Sequence, residues 1–194
     1  MTTTVFLVRH ASHDRLGKVL CGRMAGVTLG EEGVAEAARV GERLAGEKLA
    51  AVYSSPLERA VQTAEAIAAK PRIDKGLQEI DFGDWNGATF EDLERDTLWA
   101  QWNSDRATAR PPHGESMVEA QARVVGWLQW ALETHIGQSI AAVSHADVIK
   151  ALIAHALGLS LNDLHRFEVS PASVSVLVAG RWGLKVHSIN EVSR

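Results

Sequence analysis

The 194-residue chain has one cysteine, one tyrosine and five prolines. A single thiol, Cys21, excludes an intrachain disulfide framework and fits a reducing compartment. Positive charge is not in excess: 20 lysines and arginines face 24 acidic residues, a formal net charge of −4. Bulk attraction to nucleic acid or to an anionic membrane is therefore not expected. The first apolar run, Val5 to Val8, is far too short for a membrane span, and no basic segment precedes it as in a secretory leader. A cytoplasmic location is the expectation. No G-x-x-x-x-G-K-[ST] motif occurs, which excludes a P-loop. His13, His113, His135, His155, His165 and His187 show no tight ligand spacing, and no EF-hand carboxylate pattern is present, so neither metal nor cofactor is expected.

Apolar residues (46%) and charged residues (23%) are in ordinary proportion, and the length suits one domain, residues 1–194. "TVFLV" near the start, "LAAVYSS" and "SIAAVSH" have the β-branched content of buried strands. Between them lie amphipathic helical stretches. In "LGEEGVAEAARVGERLAGEKL", Val34, Ala37, Ala38, Gly41, Leu44 and Ala45 share one face at spacings of three and four. Pro56 is placed to start the next helix. Residues 76–114, with Gly83, Gly87, Pro111, Pro112 and Gly114, read as short helices and loops, an insert-like region over one end of the sheet. "ASVSVLVAG" and "GLKVHSINEV" read as an antiparallel pair around "GRWG", with an edge available for pairing into a homodimer.

Strands alternating with helices predict an α/β fold: a three-layer αβα sandwich with a mostly parallel central sheet and helices on both faces. Ligands of such sheets bind at the carboxyl ends of strands. Those ends carry chemistry here. The first strand runs into Arg9-His10, the second into Ser54-Ser55 with Arg59 one turn beyond, and the third into Ser144-His145. Two guanidinium forks beside two imidazoles make an anion pocket, and an imidazole with a free ring nitrogen is a nucleophile toward phosphorus. An acid to protonate a leaving oxygen is available in "LQEIDFGDWNG": Glu79, Asp81 or Asp84.

Five ordered segments, "LVRHA", "SSPLERAVQTA", "LQEIDFGDWNG", "HGES" and "VSHADVIKALI", span nearly the whole chain and resemble the histidine phosphatase superfamily, the phosphoglycerate-mutase-like group. The resemblance implies that His10 is a nucleophile forming phosphohistidine, that Arg9 and Arg59 bind phosphate, that Glu79 is the proton donor and that His145 donates to phosphoryl oxygens. It implies a metal-independent phosphomonoesterase acting on a small phosphorylated metabolite and binding inorganic phosphate. A cofactor-dependent phosphoglycerate mutase is the alternative, and a catalytically silent phospho-ligand-binding module a further one. The chain departs from the family pattern at Ala11 and Ala146, which replace glycines, at Leu16 and Cys21, which replace polar residues, and at Asn86, which replaces a carboxylate. Ser12 and Arg23 are candidate replacements for the lost contacts, and Ala146 is placed at the substrate. Trp85, Trp99, Trp102, Arg106 and Arg110 are candidates for the leaving-group side.

Overall fold

The computed structural model describes residues 1–192. Strand β1 (Thr3–Arg9) is followed by helix α1 (Glu31–Leu44), β2 (Ala51–Ser54), α2 (Glu58–Ile67) and the two-residue β3 (Arg72–Ile73). Residues 75–104 form two 3₁₀ turns and the short helices α3 (Phe90–Leu93) and α4 (Thr97–Ser104). Then come α5 (Met117–Thr134), β4 (Ser139–Ser144), α6 (Ala146–Leu157), a 3₁₀ segment at 161–166, β5 (Val174–Gly180) and β6 (Gly183–Glu191).

The strands form one sheet in the order β3-β2-β4-β1-β5-β6. β3, β2, β4 and β1 are parallel, and β5 and β6 pair antiparallel at one side. The architecture is the expected αβα sandwich. Its two cores follow from the period-two alternation of strands. Val5, Leu7, Tyr53, Ile140 and Ala142 face α5 and α6, while Phe6, Val8, Val52, Ala141 and Val143 face α1 and α2. β1 and β4 carry apolar residues on both faces because helices cover both.

Helix α1 turns a different face inward from the one its apolar residues suggest. Gly33, Ala37, Val40 and Leu44 are buried, and Val34 is 59% exposed. The cause is Gly33. A Cβ there would lie 1.8 Å from the Ser12 carbonyl oxygen, so only glycine lets the helix rest on the backbone after β1. Helix α2 starts at Glu58 and not at Pro56, because residues 55–57 form a turn in which Leu57 N–H donates to Ser55 Oγ at 3.4 Å.

Residues 76–114 contribute much of the core on the α5–α6 side: Leu77, Ile80, Phe82, Trp85, Leu93 and Trp102 are buried. Trp85 and Trp102 pack edge-to-face and are structural, so they do not line a leaving-group surface as their place in the sequence suggested. Arg110 is also committed elsewhere, pairing with Glu119 at 2.7 Å on the surface.

Candidate active site

The carboxyl ends of β1, β2 and β4 meet at one rim. Arg9 ends β1 with His10 next to it, Ser55 follows β2, and His145 follows β4 and caps α6. Arg59 extends from the first turn of α2 and is 1% exposed. Arg9, His10, Arg59, Glu79 and Ala146 line a cavity of about 140 Å³, together with His13, Leu16, Cys21, Phe82, Phe90 and Asp147.

His10 is held in one tautomer. Its Nδ1–H donates to the Ala11 carbonyl at 2.8 Å. Nε2 therefore carries the lone pair, and Arg59 Nε donates to it at 3.3 Å. Burial, reinforced by the Arg59 charge, keeps the His10 imidazole well below its ordinary pKa. His10 is thus neutral and nucleophilic at neutral pH. His145 is fully buried, with Nε2 2.8 Å from Ser55 Oγ and Nδ1 facing Arg59 (3.4 Å) and the Glu79 carboxyl (3.7 Å). Its pKa is likewise driven well down, first by burial and then by Arg59.

Glu79 is the one carboxylate among the three sequence candidates that lines the cavity. Burial pushes it up to about 7, and the nearby Asp147 charge adds to the effect. It is therefore substantially protonated near neutrality, as a proton donor must be. Asp81 instead accepts from Gly83 N–H and Asn86 Nδ2, and Asp84 pairs with His113.

A chain of charges fixes Glu79. Arg123 donates to the carbonyls of Gly76 and Gln78, both at 2.9 Å, and grips Glu115 through Nε (2.9 Å) and Nη2 (2.8 Å). Glu115 accepts from Arg23 at 2.9 Å, and Arg23 Nε donates to the Glu79 carbonyl at 2.7 Å. The "HGES" segment thus acts through Glu115, while Ser116 forms a capping box with Glu119 at the start of α5.

Two candidate binding residues are placed outside the cavity. Ser12 is tied to Glu36 through N–H (2.7 Å) and Oγ (3.0 Å). Arg23 is spent on Glu79, Glu115 and Asp81. Leu16 and Cys21 do line it, as an apolar patch where the family pattern has polar residues. Ala11 and Ala146 both avoid positive φ, so losing glycine there carries no backbone penalty. Gly22 does require glycine: its φ is +45°, a Cβ would meet Asn86 Oδ1 at 1.9 Å, and its carbonyl accepts from Arg59 at 2.7 Å. Asn86 does not line the cavity; it locks the loop by accepting from Arg23 N–H and donating to Asp81 and Gly83.

Three contributors, His13, Thr63 and Asp147, are not singled out by the sequence, and a fourth, Ser55, is placed at the rim without a role. His13 was set aside for lack of ligand spacing, yet its ring stacks on His10 with centroids 5.5 Å apart. Burial, then Arg59 and Arg9, lowers it to about 4. Ser55 holds His145, and Thr63 accepts from Ala11 N–H at 3.0 Å while donating to the Arg59 carbonyl. Asp147 stands beside Glu79 in the wall. The strand-end place of Ser55 and the i+4 spacing of Arg59 and Thr63 on one helix are the signals the sequence carries for them. Arg9 Nε, Arg59 Nη1 and His13 Nδ1 are buried without a protein partner. The two buried guanidinium donors call for an anion to accept from them.

The family model for the histidine phosphatase superfamily (branch 1) matches residues 5–192. The chain belongs to the histidine phosphatase superfamily. Its architecture is that of solved histidine phosphatases. A phosphoserine phosphatase mutant from Entamoeba histolytica, in complex with phosphoserine, superposes with a TM-score of 0.88 at 26% identity, covering 97% of this chain and 96% of that one. Phosphoserine phosphatase 1 of Hydrogenobacter thermophilus is 30% identical over 182 residues, 89% of this chain and 85% of the relative. The bifunctional protein Rv2228c of Mycobacterium tuberculosis is 38% identical over 134 residues, 66% of this chain; the match spans only 36% of that longer relative. The chain is also similar to 2,3-bisphosphoglycerate-dependent phosphoglycerate mutases, at 30–31% identity. Among the described residues no helix is long and apolar enough to cross a membrane.

Proposed function

We propose that this histidine phosphatase is a metal-independent phosphomonoesterase that hydrolyses a small phosphorylated metabolite through a phosphohistidine on His10. The observation that carries the reading is the convergence on one cavity of a neutral imidazole lone pair, two guanidinium groups and a single elevated carboxyl. In the first step His10 Nε2 attacks phosphorus. The ester P–O bond breaks, and Glu79 gives its proton to the departing alkoxide. Arg9 and Arg59 neutralise the equatorial oxygens as charge spreads over them, and the uncharged His145 ring adds a hydrogen bond through Nδ1–H. In the second step Glu79, now a carboxylate, takes a proton from water as its oxygen attacks phosphorus. The P–N bond breaks, releasing inorganic phosphate and restoring His10. The cations of the side chains supply the charge that a metal supplies elsewhere.

The test is hydrolysis of an aryl phosphate in the presence of a chelator, comparing the wild type with His10→Ala. The expected result is chelator-resistant release of phosphate, with an acid-labile phosphoenzyme, both lost in the variant. Turnover that survives in His10→Ala, or that the chelator removes, overturns the reading. A phosphoenzyme that discharges to an added phosphoglycerate in preference to water assigns the mutase reaction instead.

A further inference from the structure

A second cleft, of about 210 Å³, adjoins the reaction cavity. It lies between α4, the first turns of α6 and residues 161–168, and Arg106, Asp147, Lys150, His165 and Glu168 are in its wall. Asp147 lines both spaces. Two further contacts join them. Arg9, a cavity residue, donates to the Val169 carbonyl at 2.7 Å, one residue beyond Glu168. Phe82, also in the cavity wall, packs on Trp102, and the Arg106 guanidinium lies over the Trp102 ring at 5.6 Å. An alcohol bonded to phosphorus at His10 extends from the cavity, and this polar cleft is next to it.

The charges in the cleft are not equally spent. Arg106 pairs with Asp147 at 2.9 Å and donates to Asn103 at 3.1 Å, so Asp147 already has its cation within the wall. Lys150 is different. Its side chain is only 13% exposed; its ammonium lies over the Phe167 ring at 6.0 Å and has one ionic contact at 3.5 Å, with Glu168, whose side chain is 74% exposed. An ammonium has three donors, and a contact at that distance satisfies one of them poorly. A cation on a mostly buried side chain, with donors unspent, selects an anion. A cationic alcohol finds less: Asp147 is already paired, and Glu168 lies in water.

We propose that this cleft is the leaving-group subsite and that it binds a carboxylate on the alcohol through Lys150, with Arg106 beside it, so that the substrate is the phosphomonoester of a small hydroxy acid. The proposal rests on the phosphatase reading for the identity of the reaction. Its test does not need turnover. Binding of 2-phosphoglycolate, ethyl phosphate and O-phosphoethanolamine to His10→Ala is measured by calorimetry, with folding of the variant checked by circular dichroism. The same three esters are compared by kcat/KM in the wild type. 2-Phosphoglycolate is expected to bind roughly tenfold to a hundredfold more tightly than ethyl phosphate, the weight of a hydrogen bond to a charged group. Lys150→Met should erase that ratio and Lys150→Arg should keep it. Tightest binding of O-phosphoethanolamine, no discrimination, or a preference that survives Lys150→Met overturns the subsite. If the wild type hydrolyses none of the esters, nor an aryl phosphate, the phosphatase reading fails, and the binding ratio still decides the subsite.

Discussion

Arg59 Nε donates to His10 Nε2 at 3.3 Å, so the residue proposed to hold the phosphoryl group also touches the atom proposed to attack it. The guanidinium disfavours the imidazolium, and it stabilises charge on phosphoryl oxygens at the same place. Arg59→Met should therefore do two things. It should weaken competitive inhibition by inorganic phosphate roughly tenfold or more, as loss of a charge-assisted hydrogen bond does. It should also raise the His10 pKa, because a cation is gone, and so move the acid limb of kcat/KM to higher pH. Arg59→Lys keeps the charge without the fork and should recover the limb better than the affinity. An unmoved limb would show that Arg59 does not tune His10.

The raised Glu79 pKa predicts both a rate profile and a stability profile. The acid form is lost as pH rises through about 7. Hydrolysis of alkyl phosphates should fall across that range, and that of an activated phenolate ester less, since a good leaving group needs no proton. Glu79→Gln should slow the alkyl ester more than the aryl ester. For stability, the folded state binds the extra proton between the ordinary carboxyl value, 4.5, and about 7, so stability falls as pH rises through that window. Glu79→Gln should relieve a cost of about 1–3 kcal/mol above pH 7 and little at pH 4.5. Thermal melts at the two pH values check the sign.

His13 gives the opposite slope. Its folded value, about 4, lies below the ordinary 6.5, so the unfolded chain binds the extra proton between them. Stability is expected to fall as pH drops from 6.5 through 4, by up to about 3 kcal/mol from this residue. His10 and His145 act in the same direction. His13→Gln should flatten the dependence of unfolding free energy on pH without abolishing it, which denaturant titrations at several pH values measure.

Glu115 lies outside the cavity, and its side chain is 15% exposed between Arg23 and Arg123. Glu115→Gln leaves two partly buried cations short of a counter-charge and should cost about 2–3 kcal/mol. Because Arg23 holds the Glu79 carbonyl, the same change should slow alkyl esters more than aryl esters. Equal slowing of both would mark Glu115 as a residue of the fold alone.

The sheet was legible because buried strands in an αβα sandwich are continuous apolar runs, and β1, β2 and β4 each end in the residue that serves the rim. His10, Arg59 and His145 were readable for the same reason: residues at a strand end, or one turn beyond it, need no knowledge of distant contacts. The two-residue β3 was not readable, since it has too few residues to show a period. The buried face of α1 was misread because its contact residue, Gly33, has no side chain to count.

The sequence by itself determined the fold class, the order of the elements and which rim carries the nucleophile, because periodicity and strand ends are local properties. Tertiary structure decided which of three carboxylates lines the cavity, since that depends on Arg123, Glu115 and Arg23 fixing residues 76–79 from an adjacent helix and loop. It decided that Trp85 and Trp102 belong to the core, that Ser12 and Arg23 turn away from the cavity and that His13 stacks against His10. It also decided the charge states, because burial and the Arg59 cation leave the His10 and His145 imidazoles neutral, while burial and the Asp147 charge, against the pull of Arg59 and Arg9, raise the Glu79 carboxyl to about 7.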